Sequence, residues 1–180
     1  MEIIDTSLKD VFLIKPTVYS DDRGYFYESF HHSRYKALGL SCNFIQDNEA
    51  KSGKGVLRGL HYQTGPNAQA KLVRVVIGSV YDVIVDLRND SPTYGEWLGV
   101  ELSHENKFQL FVPRGFAHGY LVLEDDTIFS YKCDNYYDKD SEGGIRYDDP
   151  NLSIEWPSLN LDYIISSKDQ VLPYLGDHLI

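Results

Sequence analysis

The sequence predicts an all-β fold: one jelly-roll sandwich or barrel spanning residues 1–180, with a few short helices. Two observations carry the expectation. Short segments rich in Val, Ile, Phe and Tyr follow one another, namely KLVRVVIGSVYDVIVDLR (71–88), EWLGVELS (96–103), FQLFVP (108–113), AHGYLVLE (117–124) and TIFSYKC (127–133). β-Branched and aromatic side chains of this kind suit a pleated, half-buried surface. Turn signals separate the segments, including Asn89-Asp90-Ser91-Pro92 and Arg114-Gly115, as successive antiparallel strands require. The fourteen tyrosines and fourteen glycines agree with this reading, because aromatics pack on sheets and glycine supplies turns of positive φ.

In chain order, SFHHSRYKALGL (29–40) reads as a short helix that opens at Ser29 and stops at Gly39. The strand-like segments follow it. Beyond Trp156-Pro157 the pattern loosens, and Ser166 of SSKDQ is placed to cap a late helical turn. This tail is expected to fold back over the barrel. No repeat of fixed period, low-complexity tract or Pro/Gly/Ser linker divides the chain, and 42% hydrophobic content suffices for one core at 180 residues.

A net charge of -10 disfavours nucleic-acid or anionic-membrane partners, which need a basic field. No run of about 18 apolar residues is present for a membrane span, and MEIIDTSLKDVF lacks the apolar stretch of a signal peptide. The expected location is the cytoplasm. Cys42 and Cys133 lie far apart without CxxC spacing, so neither a disulfide framework nor a cysteine metal site is expected.

Polar residues concentrate in Gln46-Asp47-Asn48, in Arg58-Gly59-Leu60-His61-Tyr62-Gln63 and at Lys71, with a second histidine in Pro113-Arg114-Gly115-Phe116-Ala117-His118. Strict alternation along a strand puts Arg58 and His61 on opposite faces, unless Gly59 bends it. Two histidines in a small β-barrel raise a metal hypothesis. The segment PRGFAHGYLV resembles the second motif of the cupin superfamily, whose metal-binding members carry a His-x-His pair and a Glu in the first motif and end the second in Asn. Here Gln63 holds the second histidine position and Leu121 that of the Asn. No metal is therefore expected. Asp82 is polar within the apolar run VYDVIVD, and either it or Asp86 is expected to hydrogen-bond inside a pocket and orient its cations.

The strings DDRGYFYESF, QDNEAKSGKGVLRGLHYQ, KLVRVVIGSVYDVIVDLR, PRGFAHGYLVLE, YKCDNYYDKDSEGGIRYDDP and SSKD, in this order and spacing, cover nearly the whole chain. Together they resemble the dTDP-4-dehydrorhamnose 3,5-epimerase family. The resemblance implies a cupin-type jelly roll that works without metal or redox cofactor. It implies His61 as proton acceptor, Asp169 as its carboxylate partner and Tyr131 as proton donor. Lys71 is the candidate cation for the enolate oxygen that develops beside a ketone. The substrate implied is dTDP-4-keto-6-deoxy-D-glucose, inverted at C3 and C5. Its contacts fall on Arg23, Phe26, Glu28, Gln46, Asp47, Asn48, Arg58, His118, Glu142 and Lys168, with Tyr137 stacking on the thymine. A homodimer with exchanged N-terminal strands is also implied, bringing residues near Arg23 to Glu28 to the neighbour's site. Competing readings are a C3-only epimerase, a ketoisomerase, a sugar-nucleotide-binding module without catalysis, and a metal-dependent cupin oxygenase or isomerase.

Overall fold

The strand-like segments pair into two mainly antiparallel sheets in the computed structural model, which describes residues 1–40 and 42–178. The strands are β1 (Glu2–Asp5), β2 (Phe12–Lys15), β3 (Tyr19–Asp21), β4 (Gly24–Phe26), β5 (Gln46–Ser52), β6 (Val56–Gln63), β7 (Lys71–Ile77), β8 (Ser79–Asp86), β9 (Trp97–Ser103), β10 (Gln109–Val112), β11 (Phe116–Val122), β12 (Thr127–Cys133), β13 (Glu142–Gly144) and β14 (Ile164–Ile165). One helix, α1 (His32–Ala37), lies between β4 and β5. The first sheet runs β1-β2-β10-β7-β12-β5 and the second β13-β6-β11-β8-β9, while β3 and β4 form a separate hairpin. Neighbours in space are mostly distant in sequence, as a jelly roll requires. No helix among the described residues is long and apolar enough to cross a membrane.

Alternation along the strands builds the core. Val73, Val75, Leu110, Val112 and Phe129 from the first sheet meet Val80, Ile84, Leu102, Phe116 and Val122 from the second. The outer face of the second sheet packs through Val83, Val85 and Ala117 against Ile145, Leu152, Trp156 and Leu175, and beyond Pro157 β14 pairs with β6, so the tail does fold back. The outer face of the first sheet is covered by Tyr35 of α1 together with Leu40 and Phe44.

The helix is shorter than its pattern predicts. The Ser29 carbonyl accepts from Gln109 Nε2 at 2.8 Å and lies 3.3 Å from the Tyr35 hydroxyl, which is 3.2 Å from Gln109 Oε1. These tertiary bonds hold residue 29 outside the helix, which opens at His31 without a side-chain cap. Gly39, at φ 90°, ends it as expected. Ser166 also behaves as expected: its Oγ accepts from the Asp169 backbone N–H at 3.1 Å, ahead of a 3-10 turn at Asp169–Val171.

Asp86 makes its side-chain bonds away from the cavity between the sheets, contrary to one of the two possibilities read from the sequence. It is fully buried at the end of β8 and shapes the turn at 89–92. Its carboxylate accepts from Arg88 Nε and Nη2 at 2.9 and 2.7 Å, from Ser91 Oγ at 2.6 Å and from Thr93 Oγ1 at 2.7 Å. Burial pushes the carboxyl up, but these donors outweigh it and bring the pKa down to about 2. The ionised form therefore stabilises the fold above roughly pH 4, and the contribution fades as pH falls through about 2. Asp86→Asn is expected to destabilise the protein by about 1–3 kcal/mol at neutral pH. Urea unfolding should show the gap to wild type narrowing in strong acid; equal stability at neutral pH would contradict this account.

Candidate active site

The site is built on β6, and one extra residue there decides its content. His61 lies opposite His118 and Arg58 opposite Tyr120, so three steps on β6 match two on β11. This bulge shifts the alternation by one residue, and Arg58 and His61 come to line the same cavity. Gly59 sits at the bulge with φ 119°, and a Cβ there would lie 2.5 Å from the Gly119 Cα. Gly119 in turn has no room for a side chain, since its Cβ would lie 2.6 Å from the Arg58 carbonyl oxygen. The paired glycines let the two backbones approach and leave the side chains on either side aimed inward.

The cavity, about 540 Å³, opens between the sheets. The second sheet contributes Arg58, His61, His118 and Tyr120, the first contributes Ala50, Lys71, Phe129 and Tyr131, and the tail adds Ser166, Lys168 and Asp169. An adjoining chamber of about 340 Å³ is lined by Gln46, Asn48, Tyr137 and Glu142 and shares His61, Lys71 and Tyr131 with the first.

Each histidine is held by a buried carboxylate. His61 Nε2 lies 2.8 Å from Asp169 Oδ1, while Asp169 Oδ2 accepts from the Gly59 backbone N–H at 3.3 Å. Burial raises the Asp169 carboxyl, but the bonds from His61, Gly59 and Ser166 outweigh it and the net shift is downward. An anionic Asp169 fixes the imidazole's orientation and stabilises its cation. His118 Nε2 lies 2.9 and 3.1 Å from the two oxygens of Asp82. Asp82 is fully buried; burial drives its carboxyl up, opposed by His118 and then Lys71.

Burial pulls the Lys71 ammonium down, and Cys133, Asp82 and Glu142 act against that pull. The Tyr131 phenol is raised by burial, with Cys133 adding to the rise and Arg58 opposing it. Glu142 accepts from Tyr137 Oη at 3.1 Å and pairs with Lys168 Nζ at 2.6 Å. Burial raises Glu142, yet these two partners bring it below its ordinary value.

Most of the residues singled out in the sequence thus converge, but four do not. Along β5, Gln46 and Asn48 face inward, whereas Asp47 lies on the outer face, its Oδ1 2.8 Å from Lys132 Nζ. Three consecutive residues in a strand cannot share a face. Arg23 and Phe26 sit on the β3–β4 hairpin, where Arg23 pairs with Asp21 at 2.5 Å and Phe26 is 66% exposed. Glu28 pairs with Arg34. None of these four lines either chamber.

Sequence reasoning missed Ser52, Tyr120 and Phe129. Period two from Asn48 leads to Ser52 and from His118 to Tyr120, so the signal was present. Among the described residues no group of three or more His, Cys, Asp or Glu is placed to hold a metal ion. Gln63 instead anchors loops, with Nε2 donating to the Asn67 carbonyl at 3.2 Å and Oε1 accepting from the Asp138 N–H at 2.8 Å.

Known proteins share this architecture. The family profile described as dTDP-4-dehydrorhamnose 3,5-epimerase matches residues 5–177. A protein of that name from Shigella flexneri is 52% identical over 170 residues, covering 94% of this chain and 93% of its own. The crystal structure of one from Elizabethkingia anophelis NUHP1 superposes with a TM-score of 0.94 at 53% identity, over 98% of this chain and 97% of the other. A dTDP-6-deoxy-D-glucose-3,5-epimerase from Legionella pneumophila Philadelphia 1, solved in complex with dTDP-4-keto-L-rhamnose, gives 0.92 at 49% identity, over 96% and 92%.

Gly59→Ala is expected to destabilise the protein by at least about 2 kcal/mol, from the strained φ and the clash with the neighbouring backbone. Urea unfolding measures it, and a variant as stable as wild type would remove the bulge from this account.

Proposed function

The chain belongs to the dTDP-4-dehydrorhamnose 3,5-epimerase family, and from that premise we propose that its cavity converts dTDP-4-dehydro-6-deoxy-D-glucose to dTDP-4-dehydro-L-rhamnose. His61 is the base, Tyr131 the acid and Lys71 the partner of the enolate oxygen. The observation that carries this assignment is that His61 and Tyr131 line one cavity from opposite sheets, with Lys71 beside them.

The chemistry follows from that arrangement. C3 and C5 both flank the C4 ketone, so a C–H bond at either is weakened by the carbonyl. His61 takes the proton, and the bonding electrons move into the carbonyl to make an enolate. Lys71 stabilises the new charge on oxygen, and its ammonium is balanced by Asp82, itself tied to His118. Tyr131 returns a proton to the same carbon from the opposite face, inverting it. Proton exchange with water resets the imidazolium and phenolate. No electrons are gained or lost, so the reaction needs no redox cofactor, and Lys71, which lines the cavity, supplies the positive charge at the enolate oxygen.

The nucleotide half fits the remaining side chains. Arg58 and Lys168 suit the diphosphate, and Tyr137, 54% exposed at the second chamber, offers a flat face for the thymine. Gln46, Asn48 and Glu142 add polar contacts, and His118 shapes the floor. We extend the reading to one catalytic domain acting in the cytoplasm as a homodimer with exchanged N-terminal strands. Support comes from the β3–β4 hairpin, which leaves Tyr19, Tyr25 and Phe26 65%, 57% and 66% exposed; Arg23, Phe26 and Glu28 would then complete the neighbour's site.

His61→Asn and Tyr131→Phe are each expected to lower kcat by about 10²–10⁴-fold while dTDP binding by calorimetry stays within about twofold. Turnover near wild type in either variant would remove that residue from the mechanism. An acid acts only while protonated, and the Tyr131 phenol is raised above its ordinary value. The alkaline fall in kcat is therefore expected above about pH 10, the value for a free phenol. A fall centred well below it would contradict Tyr131 as the donor.

A further inference from the structure

We propose that Ser52 is a positioning residue: its hydroxyl holds the Arg58 guanidinium at the cavity through a neutral acceptor, so that the full positive charge faces the diphosphate of the substrate. The inference rests on Arg58 as a diphosphate contact. Ser52 is the last residue of β5, buried, on the same inward face as Gln46, Asn48 and Ala50. Arg58 belongs to the opposite sheet. Arg58 Nη2 and Nε donate to Ser52 Oγ at 3.1 and 3.3 Å, so the contact joins β5 to β6 across the gap between the sheets.

The identity of the acceptor matters. Arg23, Arg34, Arg88, Arg114 and Arg146 each pair with a carboxylate, whereas Arg74, outside the two chambers, donates to the Tyr27 hydroxyl at 3.1 Å. Arg58 makes no ion pair among the described residues, although the chain carries 27 acidic residues and a net charge of -10. Lys168, the other cation assigned to the diphosphate, is already paired with Glu142 at 2.6 Å. A carboxylate at position 52 would orient Arg58 equally well, but it would cancel the charge an anionic ligand needs. A hydroxyl supplies direction without neutralisation.

It also leaves donors free. Of the five N–H groups of a guanidinium, one hydroxyl oxygen engages two, and the others remain for phosphate oxygens in fork geometry. Holding a long, flexible side chain before the ligand arrives removes part of the ordering penalty on binding. The bulge at Gly59 sets where the Arg58 side chain starts, and Ser52 sets where it ends.

The test measures dTDP binding by calorimetry and steady-state kinetics for Ser52→Ala, Ser52→Thr, Ser52→Asp and Arg58→Ala. Ser52→Ala is expected to weaken dTDP binding and raise KM about 5- to 10-fold, with kcat within about twofold. Ser52→Thr, which keeps the hydroxyl, should bind within about twofold of wild type, and Ser52→Asp should bind more weakly than Ser52→Ala. In an Arg58→Ala background, Ser52→Ala should have no further effect. Weakened binding in Arg58→Ala with wild-type binding in Ser52→Ala overturns the role of Ser52 and leaves the function of the cavity standing. Wild-type binding in Arg58→Ala overturns both this inference and the place given to Arg58. Should Ser52→Ala fail to fold, Ser52→Asp decides, and unchanged dTDP binding there overturns the proposal.

Discussion

An extra residue in β6 reverses the alternation between Arg58 and His61, and the cavity depends on that reversal. In an unbroken strand one of the two would point out of the sandwich. With the bulge, Arg58 and His61 share the interior face, and His118 lies directly across from His61 on β11. The irregularity survives because glycine occupies both strands at the crossing: any side chain at Gly59 or Gly119 would strike the neighbouring backbone. His61, Arg58 and His118 therefore owe their placement to two residues that have no chemistry of their own.

The electrostatics of the cavity form one connected arrangement. Lys71 loses hydration by burial, and Asp82 does too; each is partly compensated by the other, and Asp82 also by His118. Buried charges persist when paired and hydrogen-bonded. Asp169 stands apart from this group, reaching His61 from the C-terminal tail through a turn capped by Ser166. The tail is thereby part of the site and not merely a cover for the outer sheet: β14 runs parallel to β6 at Val56 and Leu57, close to where Asp169 enters.

The strands from Lys71 to Cys133 were legible in the sequence because β-branched runs and turn residues agreed there. The helix was over-read, since a local pattern cannot show that Ser29 bonds to Gln109, 80 residues away. Phase within a strand was legible in principle: period two alone separates Asp47 from Gln46 and Asn48, and links Ser52 to them. Convergence of Arg58 and His61 was left open by spacing, because a bulge needs a partner strand to define it. The pairing of His61 with Asp169, 108 residues downstream, has no local signature at all. Nor does Tyr131, one of fourteen tyrosines; resemblance to a family singled out both, and the fold supplies the physical reason to consider them together.

The central claim is that one base and one acid, without metal, exchange protons at two carbons beside a single ketone. Its most direct test is to incubate the metal-stripped protein with dTDP-4-dehydro-6-deoxy-D-glucose in D₂O and follow deuterium by NMR. Incorporation at both C3 and C5 is the result this account requires. Label at C3 alone, or no label although the substrate binds, would contradict it.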